Sequence, residues 1–211
     1  MQISNKHLEK LKIYLEKMET ETYPEPASST HEAITKSAIS EIIKTYITDK
    51  QSKILDVGCG LGYALEEFAN YGYSNVIGIT LNLDDLEFCK AKGFKVLHMD
   101  QSFLDFDDNE FDFVWCRHTL EHSPIPLYTL KEFHRVLKFN GYMYLEMPGP
   151  GPCFFHERNK NHYSIFTQEV WFELISRSRF EIGCANSIKV ECKFGNDIEY
   201  WFLCKKFNQK Q

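Results

Sequence analysis

The sequence predicts an α/β fold in which a doubly wound sheet of about seven strands is covered by helices on both faces. Short apolar runs alternate with helical patterns from residue 53 onward. Because strands that are separated by a helix usually run parallel, most of the sheet is expected to be parallel. The last two apolar runs, 180–190 and 200–206, have only a turn between them and predict an antiparallel C-terminal strand.

Two helices are predicted before the sheet begins. Residues 3–18 and 29–46 carry apolar side chains at helical spacing, and the proline-containing stretch 23–26 separates them. Ser29 followed by Glu32 resembles a capping box at the start of the second helix.

The elements of the sheet region follow from apolar runs, glycine stops and capping residues. The predicted strands are 53–57, 75–80, 95–99, 111–116, 142–147, 180–190 and 200–206. The predicted helices are 62–71, 83–92, 123–138 and 167–177. Ser123 is expected to cap the third of these helices, with Pro124 at its first position.

The length of 211 residues favours one main domain with an extension. We predict that residues 1–50 form an N-terminal helical extension or lid, and that residues 51–211 form the main domain. An insertion near 149–166, rich in glycine and proline at its start, is expected to lie on the substrate side of that domain.

Composition excludes several classes of function. The net charge of −6 argues against a broad nucleic-acid-binding surface, and no apolar run approaches the ~20 residues that cross a bilayer. The seven cysteines form no CxxC pair, which predicts reduced thiols without a disulfide framework and a cytoplasmic location. The expected partner is a small molecule; no oligomeric state is predicted.

The turn after the first predicted strand is the strongest functional signal. Gly58, Gly60 and Gly62 follow the strand at alternate positions, so a ligand can approach bare backbone there. A dinucleotide-binding turn needs a further small residue one place later, where this chain has Tyr63. The spacing therefore disfavours NAD or FAD.

Four ordered motifs carry a family resemblance. Residues 54–62 resemble the first motif of class I S-adenosylmethionine-dependent methyltransferases, and Asp100 follows the third strand where that family places a polar contact to adenine. Residues 111–116 resemble the family's fourth-strand motif, and residues 137–142 resemble its turn into the fifth strand. The resemblance implies a Rossmann-like fold, S-adenosylmethionine as cofactor and methyl transfer to a small-molecule acceptor.

The resemblance also implies which residues contact the cofactor, all of them at or just after strand ends. They are Asp56, Gly58, Cys59, Gly60, Gly62, Thr80, Leu81, Asp100, Gln101, Arg117 and His118.

The end of the second strand departs from the family. Most members have an acid there that holds the ribose hydroxyls, whereas this chain has Thr80. Residues 78–81 instead resemble the cyclopropane fatty acid synthase branch. Thr80 can still hydrogen-bond a ribose with less charge assistance, and Asp84 or Asp85 can reach back.

Three interpretations remain open for residues 117–122. His118 or His122 can act as a general base, which favours oxygen as the methyl acceptor in a sugar, carboxylate or phenol-like hydroxyl. Alternatively, His118, Glu121 and His122 can hold a divalent metal, as the resemblance of this segment to ubiquinone-pathway O-methyltransferases implies. In the third interpretation, Glu121 and His122 only brace the following helix.

Two rival functions also remain open. A nucleotide-dependent oxidoreductase can use a similar sheet, and Thr80 keeps a non-catalytic binding protein of the same fold in consideration. In the insertion, the polar and aromatic side chains can bind a polar acceptor or form an ordinary surface loop; they are His156, Arg158, His162 and Tyr163.

Overall fold

A seven-stranded sheet organises the chain, as the sequence predicted. The computed structural model describes residues 4–20, 22, 27–192 and 195–207. Its strands are β1 (Ile54–Val57), β2 (Val76–Thr80), β3 (Val96–His98), β4 (Phe111–Arg117), β5 (Leu137–Pro148), β6 (Phe180–Cys192) and β7 (Gly195–Lys206).

Helices cover the sheet. The α-helices are α1 (Asn5–Thr20), α2 (Ser29–Thr45), α3 (Tyr63–Asn70), α4 (Leu83–Ala91), α5 (Pro126–Val136) and α6 (Gln168–Arg177). Two single-turn 3-10 helices lie at Leu120–His122 and His156–Arg158. None of the described helices is both long and apolar enough to cross a membrane.

The strand order is β3-β2-β1-β4-β5-β7-β6. β1 pairs in parallel with both β2 and β4, whereas β7 is antiparallel to both β5 and β6. Because the chain order reverses between β1 and β4, the loops after these two strands diverge at the carboxyl edge of the sheet and leave a crevice there. The prediction of a mostly parallel sheet with an antiparallel C-terminal strand is confirmed.

The helix α2 is part of the packing on one face of the sheet. Ile39 and Ile42 of α2 are buried in the same cluster as Ile54, Phe68 and Trp115. Burying a side chain of this size stabilises a fold by roughly 1.5–3 kcal/mol, so α2 is held firmly against the sheet. The division of the chain at residue 50 stays a prediction.

Two predicted helix starts differ from the structure. The cap of α2 is Ser28 and not Ser29, because the Ser28 side chain accepts a hydrogen bond from the His31 N–H at 3.2 Å. Helix α5 begins at Pro126, because the Ser123 hydroxyl is bonded to that of Thr129 at 2.6 Å and does not cap a helix. The predicted break at 23–26 lies outside the described residues.

The cysteines only partly match expectation. Five of the described cysteines carry free thiols, namely Cys59, Cys89, Cys116, Cys184 and Cys204. Cys153 is disulfide-bonded, so the expectation that no disulfide forms is wrong at this position.

The ammonium group of Lys206 ties the C-terminal strand to the end of α5. Its Nζ donates to the carbonyl oxygens of His134 at 2.6 Å and Leu137 at 2.7 Å, and to the Asn109 side chain at 2.9 Å. Lys206 is 3% exposed. A cation at the C-terminal end of a helix also meets the negative end of the helix dipole.

We expect Lys206→Met to lower the free energy of unfolding by about 3 kcal/mol, because it leaves buried carbonyl groups without their charged donor. The matched control is Lys205→Met, since the Lys205 ammonium lies over the Tyr142 ring at 5.2 Å near the surface. Urea denaturation of both variants measures the difference. Equal stability of the two variants would contradict this role for Lys206.

Candidate active site

A cavity of about 230 Å³ opens at the carboxyl ends of β1, β2 and β4. It lies in the crevice that the strand order creates. Eleven of the site residues predicted from the sequence line it: Asp56, Gly58, Cys59, Gly60, Thr80, Leu81, Asp100, Gln101, Arg117, His118 and His122. Gly62 is the one residue assigned to the cofactor or to catalysis that lies outside this lining, and the possible metal or acceptor ligands Glu121, His156, Arg158 and His162 also lie outside it. The roles of these residues stay predictions.

The glycine turn brings backbone into close contact with other strand ends. Gly58 has φ +70°, and a Cβ at this position would lie 2.2 Å from Thr119 Oγ1. Gly60 has φ +47°, and a Cβ there would meet nothing within 4 Å. Gly58 is thus required by packing, whereas Gly60 exposes its backbone to the cavity.

Gly62 and Tyr63 connect the glycine turn to neighbouring helices. A Cβ on Gly62 would lie 2.9 Å from Cys89 Sγ, so this glycine permits close packing between the turn and α4. A ligand contact by Gly62 stays a prediction. The Tyr63 hydroxyl accepts a hydrogen bond from the Ser28 N–H at 3.2 Å, which joins α3 to the start of α2.

Asp56 places a carboxyl group in the cavity wall. It is 2% exposed, and its Oδ2 has no hydrogen-bond partner among the described residues. Burial raises the pKa of Asp56 to about 8, because a charge without a partner is costly in an apolar environment. A cationic ligand would supply the missing partner.

β2 ends in Thr80 and not in an acid, but the acid Asp85 follows in the first turn of α4. Asp85 lines the cavity, and burial raises its pKa. Asn82 caps α4 by accepting hydrogen bonds from the N–H groups of Asp84 and Asp85, each at 3.0 Å. The capped turn directs Asp85 inward, whereas Asp84 is exposed. Thr80 Oγ1 accepts from the Asn82 N–H at 3.1 Å.

The loop after β3 carries Gln101, whose side-chain oxygen can accept a hydrogen bond. The Gln101 side chain donates from Nε2 to the Thr119 carbonyl at 2.8 Å. Its Oε1 is buried without a hydrogen-bond partner among the described residues. Asp100 Oδ1 accepts from the Ser102 N–H at 2.6 Å, which fixes the turn. Gln101 is thereby held with an acceptor oxygen available for a ligand N–H group.

A buried ion pair borders the cavity. Arg117 on β4 and Glu146 on β5 are partners in the parallel register, and Arg117 Nε donates to Glu146 Oε1 at 2.7 Å. The Tyr144 hydroxyl donates to the other carboxylate oxygen. Burial alone would raise the pKa of Glu146, but its neighbours His118, Arg117 and Tyr144 hold it at about 2. Glu146 is therefore a permanent anion.

His118 lies among carboxyl groups. Its backbone has φ +50° and donates to the Glu146 carbonyl at 2.8 Å. Its Nε2 is 3.4 Å from Glu199 Oε2, and its Nδ1 is 3.7 Å from Glu121 Oε1. The ring stacks on that of His31 from α2, with centroids 5.1 Å apart.

The two titrating groups of this cluster shift in opposite directions. Burial lowers the pKa of His118 to about 4, so the ring is neutral near pH 7. Burial and the adjacent Glu146 charge raise the pKa of Glu199 to about 8, so that Glu199 is protonated there. The neutral imidazole can accept a proton, but burial opposes its charged form more strongly than the Glu146 anion favours it.

His122 is oriented by the insertion. Its Nδ1 lies 2.9 Å from the Asn161 carbonyl oxygen. Because a carbonyl oxygen can only accept, Nδ1 carries the hydrogen and the lone pair resides on Nε2. Burial lowers the pKa of His122, which keeps the ring neutral.

The potential metal ligands differ from the predicted set. The ring nitrogens of His118 face Glu146, Glu199 and Glu121. Instead, the structure brings one ligand-type atom each from Glu121, His122 and His162 within 4.8 Å of one another. His162 comes from the insertion and was predicted only as an acceptor contact.

The insertion reaches the cavity through Asn161 and Tyr163. Its base is anchored by the buried side chain of Asp197, which accepts from the N–H groups of Cys153 at 2.9 Å and Phe154 at 2.7 Å. The predicted acceptor role of this segment stays a prediction.

Several residues at the site were missed from the sequence. Glu146 is the one acid of β5 and lies in its buried second half, which is a recognisable signal of a buried charge; Glu199 follows Asp197 in β7 and directly precedes an apolar run. His31 and Thr35 line the cavity from α2 and carry no such signal, because their position depends on how α2 packs.

Comparison with known proteins identifies relatives of this arrangement. Residues 55–145 match a family model described as "Methyltransferase domain". The chain is 31% identical over 148 residues to the demethylmenaquinone methyltransferase of Staphylococcus saprophyticus, covering 66% of this chain and 63% of that protein. It is 32% identical over 112 residues to the cycloartenol-C-24-methyltransferase 1 of rice, covering 48% of this chain and 29% of that protein.

Solved structures share the fold. A SAM-dependent methyltransferase from Methanosarcina mazei superposes with a TM-score of 0.68 at 23% identity, over 80% of this chain and 98% of that one. The chain spans between about a third and two thirds of the length of the two curated relatives described.

The two cavity glycines are expected to respond differently to the same substitution. Gly58→Ala should lower the free energy of unfolding by at least about 3 kcal/mol, because its Cβ would overlap Thr119 in a left-handed backbone conformation. Gly60→Ala should cost only about 1 kcal/mol, since only the backbone conformation opposes it. Thermal or urea unfolding compares them, and a Gly60→Ala variant as unstable as Gly58→Ala would contradict the geometry of the turn.

Proposed function

The chain belongs to the class I S-adenosylmethionine-dependent methyltransferase superfamily, as its motifs predicted, and from this premise we propose that it methylates a small molecule at oxygen. S-adenosylmethionine is the methyl donor of this superfamily. When bound, it supplies a methyl group on a positively charged sulfur. The chain's own residues must bind that donor, orient an acceptor, exclude water and remove a proton.

The observation that carries the proposal is the fit of the cavity to this donor. Asp56 offers a buried carboxyl oxygen that has no hydrogen-bond partner among the described residues, and the donor is a cation. Gly60 presents backbone with no atom within 4 Å of where a Cβ would stand. The Asp56 carboxyl, which ionises when it binds a cation, lies beside bare backbone at the end of β1, and this suits a compact, positively charged nucleoside.

Two further side chains suit the adenosine part. Asp85, together with Thr80, can accept and donate hydrogen bonds to ribose hydroxyls, which replaces the acid that the family usually has on β2. Gln101 Oε1 can accept from an exocyclic amino group of a base. Each of these groups lines the cavity.

The preference for oxygen rests on the histidines. A hydroxyl acceptor must lose its proton, and His118 is a neutral imidazole that can take it. Burial disfavours the protonated ring, and the Glu146 anion, 3.6 Å from Nε2, offsets part of that cost. His122, with its lone pair on Nε2, positions the acceptor oxygen from the opposite side of the turn. An already nucleophilic nitrogen would not need this base for its attack, whereas transfer to carbon also requires that a proton be removed.

The N-terminal helices support a small acceptor. Met18, His31 and Thr35 line the cavity from α1 and α2. This cover narrows the entrance and restricts water, which favours a small or medium molecule over a folded protein or a nucleic-acid duplex. Residues 1–50 thus act as the lid of the proposed enzyme.

We expect S-adenosylmethionine to bind the chain with an affinity that rises between pH 5.5 and pH 7.5. The pKa of Asp56 in the free protein is about 8, so binding of a cation must displace a proton over this range. The gain should be at most about tenfold per pH unit, and it should level off as pH passes 8. Isothermal titration calorimetry in two buffers of different ionisation enthalpy measures both the affinity and the released proton.

The matched control is Asp56→Asn, which should bind more weakly and lose the pH dependence in this range. No binding by the folded wild-type chain at millimolar ligand would contradict the cofactor assignment. Equal pH dependence in wild type and variant would contradict the role of Asp56.

For the acceptor side, we expect His118→Gln to reduce methyl transfer by about a hundredfold or more while leaving S-adenosylhomocysteine affinity within about threefold, because general-base removal affects only the reaction. The assay is transfer of a labelled methyl group to a panel of phenols, sugars and carboxylic acids. His134→Gln, on the distant helix α5, is the control for loss of a histidine. Unchanged turnover in His118→Gln would remove the base from the proposal.

A further inference from the structure

We propose that Glu121, His122 and His162 form a binding site for a divalent transition metal such as Zn²⁺ at the edge of the cavity. Each of the three residues offers one ligand atom, and these atoms lie within 4.8 Å of one another. The three residues come from two separate segments, the turn after β4 and the insertion after β5. Their convergence is therefore a property of the fold.

The donor set selects the type of metal. Two imidazole nitrogens and one carboxylate oxygen suit Zn²⁺ and its neighbours in the first transition row, whereas Mg²⁺ prefers oxygen ligands and retained water. In a tetrahedral zinc site the donor atoms stand roughly 3.3 Å apart, as follows from bond lengths near 2.0 Å. Loading the site requires the donor atoms to approach one another by up to roughly 1.5 Å.

His122 already has the orientation of a metal ligand. Its Nδ1–H donates to the Asn161 carbonyl oxygen at 2.9 Å, and so the lone pair lies on Nε2. Metal-binding histidines are typically held in this way by a hydrogen bond from the other ring nitrogen. The same hydrogen bond joins the turn to the residue that precedes His162.

His162 is brought to the turn by hydrogen bonds on its other side. The Ser164 N–H donates to the Glu121 carbonyl at 3.0 Å, and the Ser164 hydroxyl donates to the Ser123 carbonyl at 2.7 Å. The segment around His162 is thereby fixed on both sides of the residue, which limits the entropy lost when a metal binds.

The ring of His162 is held between two other imidazoles. It meets the His122 ring edge-on with centroids 4.8 Å apart, and it stacks on His156 at 5.4 Å with an interplanar angle of 11°. Its Nδ1 is buried and makes no hydrogen bond to any described residue. A bound metal would give this buried nitrogen a partner for its polar atom.

The site keeps one side open. His122 lines the cavity, as do Asn161 and Tyr163 on either side of His162. A catalytic zinc site has three protein ligands and a fourth position for water or substrate. Metal binding itself does not depend on methyl transfer; only the assignment of the fourth position to the acceptor oxygen rests on the proposed function.

Calorimetric titration of the chelator-stripped full chain with Zn²⁺ tests the site. We expect one equivalent to bind, and His162→Gln to weaken the affinity at least tenfold. Co²⁺ should give visible absorption bands of a low-coordinate site in the wild type and lose them in the variant. His134→Gln removes a histidine outside the cluster and should bind Zn²⁺ like the wild type.

His122→Gln provides a second variant if His162→Gln does not fold, as judged by circular dichroism. Absence of stoichiometric Zn²⁺ binding to the wild type, or equal affinity in the folded variants and wild type, would overturn the proposal. Because S-adenosylmethionine binding is measured on the metal-free chain, failure of the metal site is distinguishable from failure of the proposed function.

Discussion

The hydrogen bonds around Thr119 join the strand ends that form the cavity. Its hydroxyl lies 3.1 Å from the carbonyl oxygens of both Val57 and Arg117 and has one hydrogen to share between them, and its own carbonyl accepts from Gln101. The same hydroxyl fills the space that a side chain at Gly58 would need. The ends of β1, β3 and β4 are therefore held in one arrangement, and each functional group of the site is placed relative to it.

The electrostatics of the cavity follow from this arrangement. Asp56 and Glu199 are buried acids whose pKa values are raised to about 8, whereas Arg117 and the neighbouring His118 keep Glu146 charged. Asp56 is a protonated acid at the end of β1, and a neutral imidazole lies between the Glu146 anion and the protonated Glu199; such a site is prepared for two tasks. It can take up a cation by releasing a proton, and it can accept a proton from a bound molecule. Both tasks belong to methyl transfer from a sulfonium donor.

The strands and the glycine turn could be predicted because their causes are local. Apolar runs and the glycines at 58 and 60 determine them without reference to distant residues. By contrast, the cap of α5 was predicted wrongly because the Ser123 hydroxyl bonds to that of Thr129 and does not cap the helix. A sequence pattern does not show which of several possible hydrogen-bond partners a serine hydroxyl will take.

The residues of the candidate site also divide into those that local sequence signals identify and those that depend on contacts between distant segments. Residues at strand ends could be predicted to line one cavity because topology brings those ends together, and the capped turn of α4 places Asp85, one of two alternatives, in that lining. His31 and His162 enter the site through the packing of α2 and through loop hydrogen bonds such as that of Ser164 to Glu121. Their roles depend on three-dimensional contacts between segments far apart in the chain, which periodicity does not reveal.

We propose that the cavity at the ends of β1, β2 and β4 holds the methyl donor. The decisive experiment is a crystal structure of the full chain with S-adenosylhomocysteine. We expect ligand density against Gly60, with the adenosine near Asp85 and Gln101, the amino-acid part near Asp56 and the sulfur facing His118. Density at another surface, or an empty cavity at saturating ligand, would contradict it.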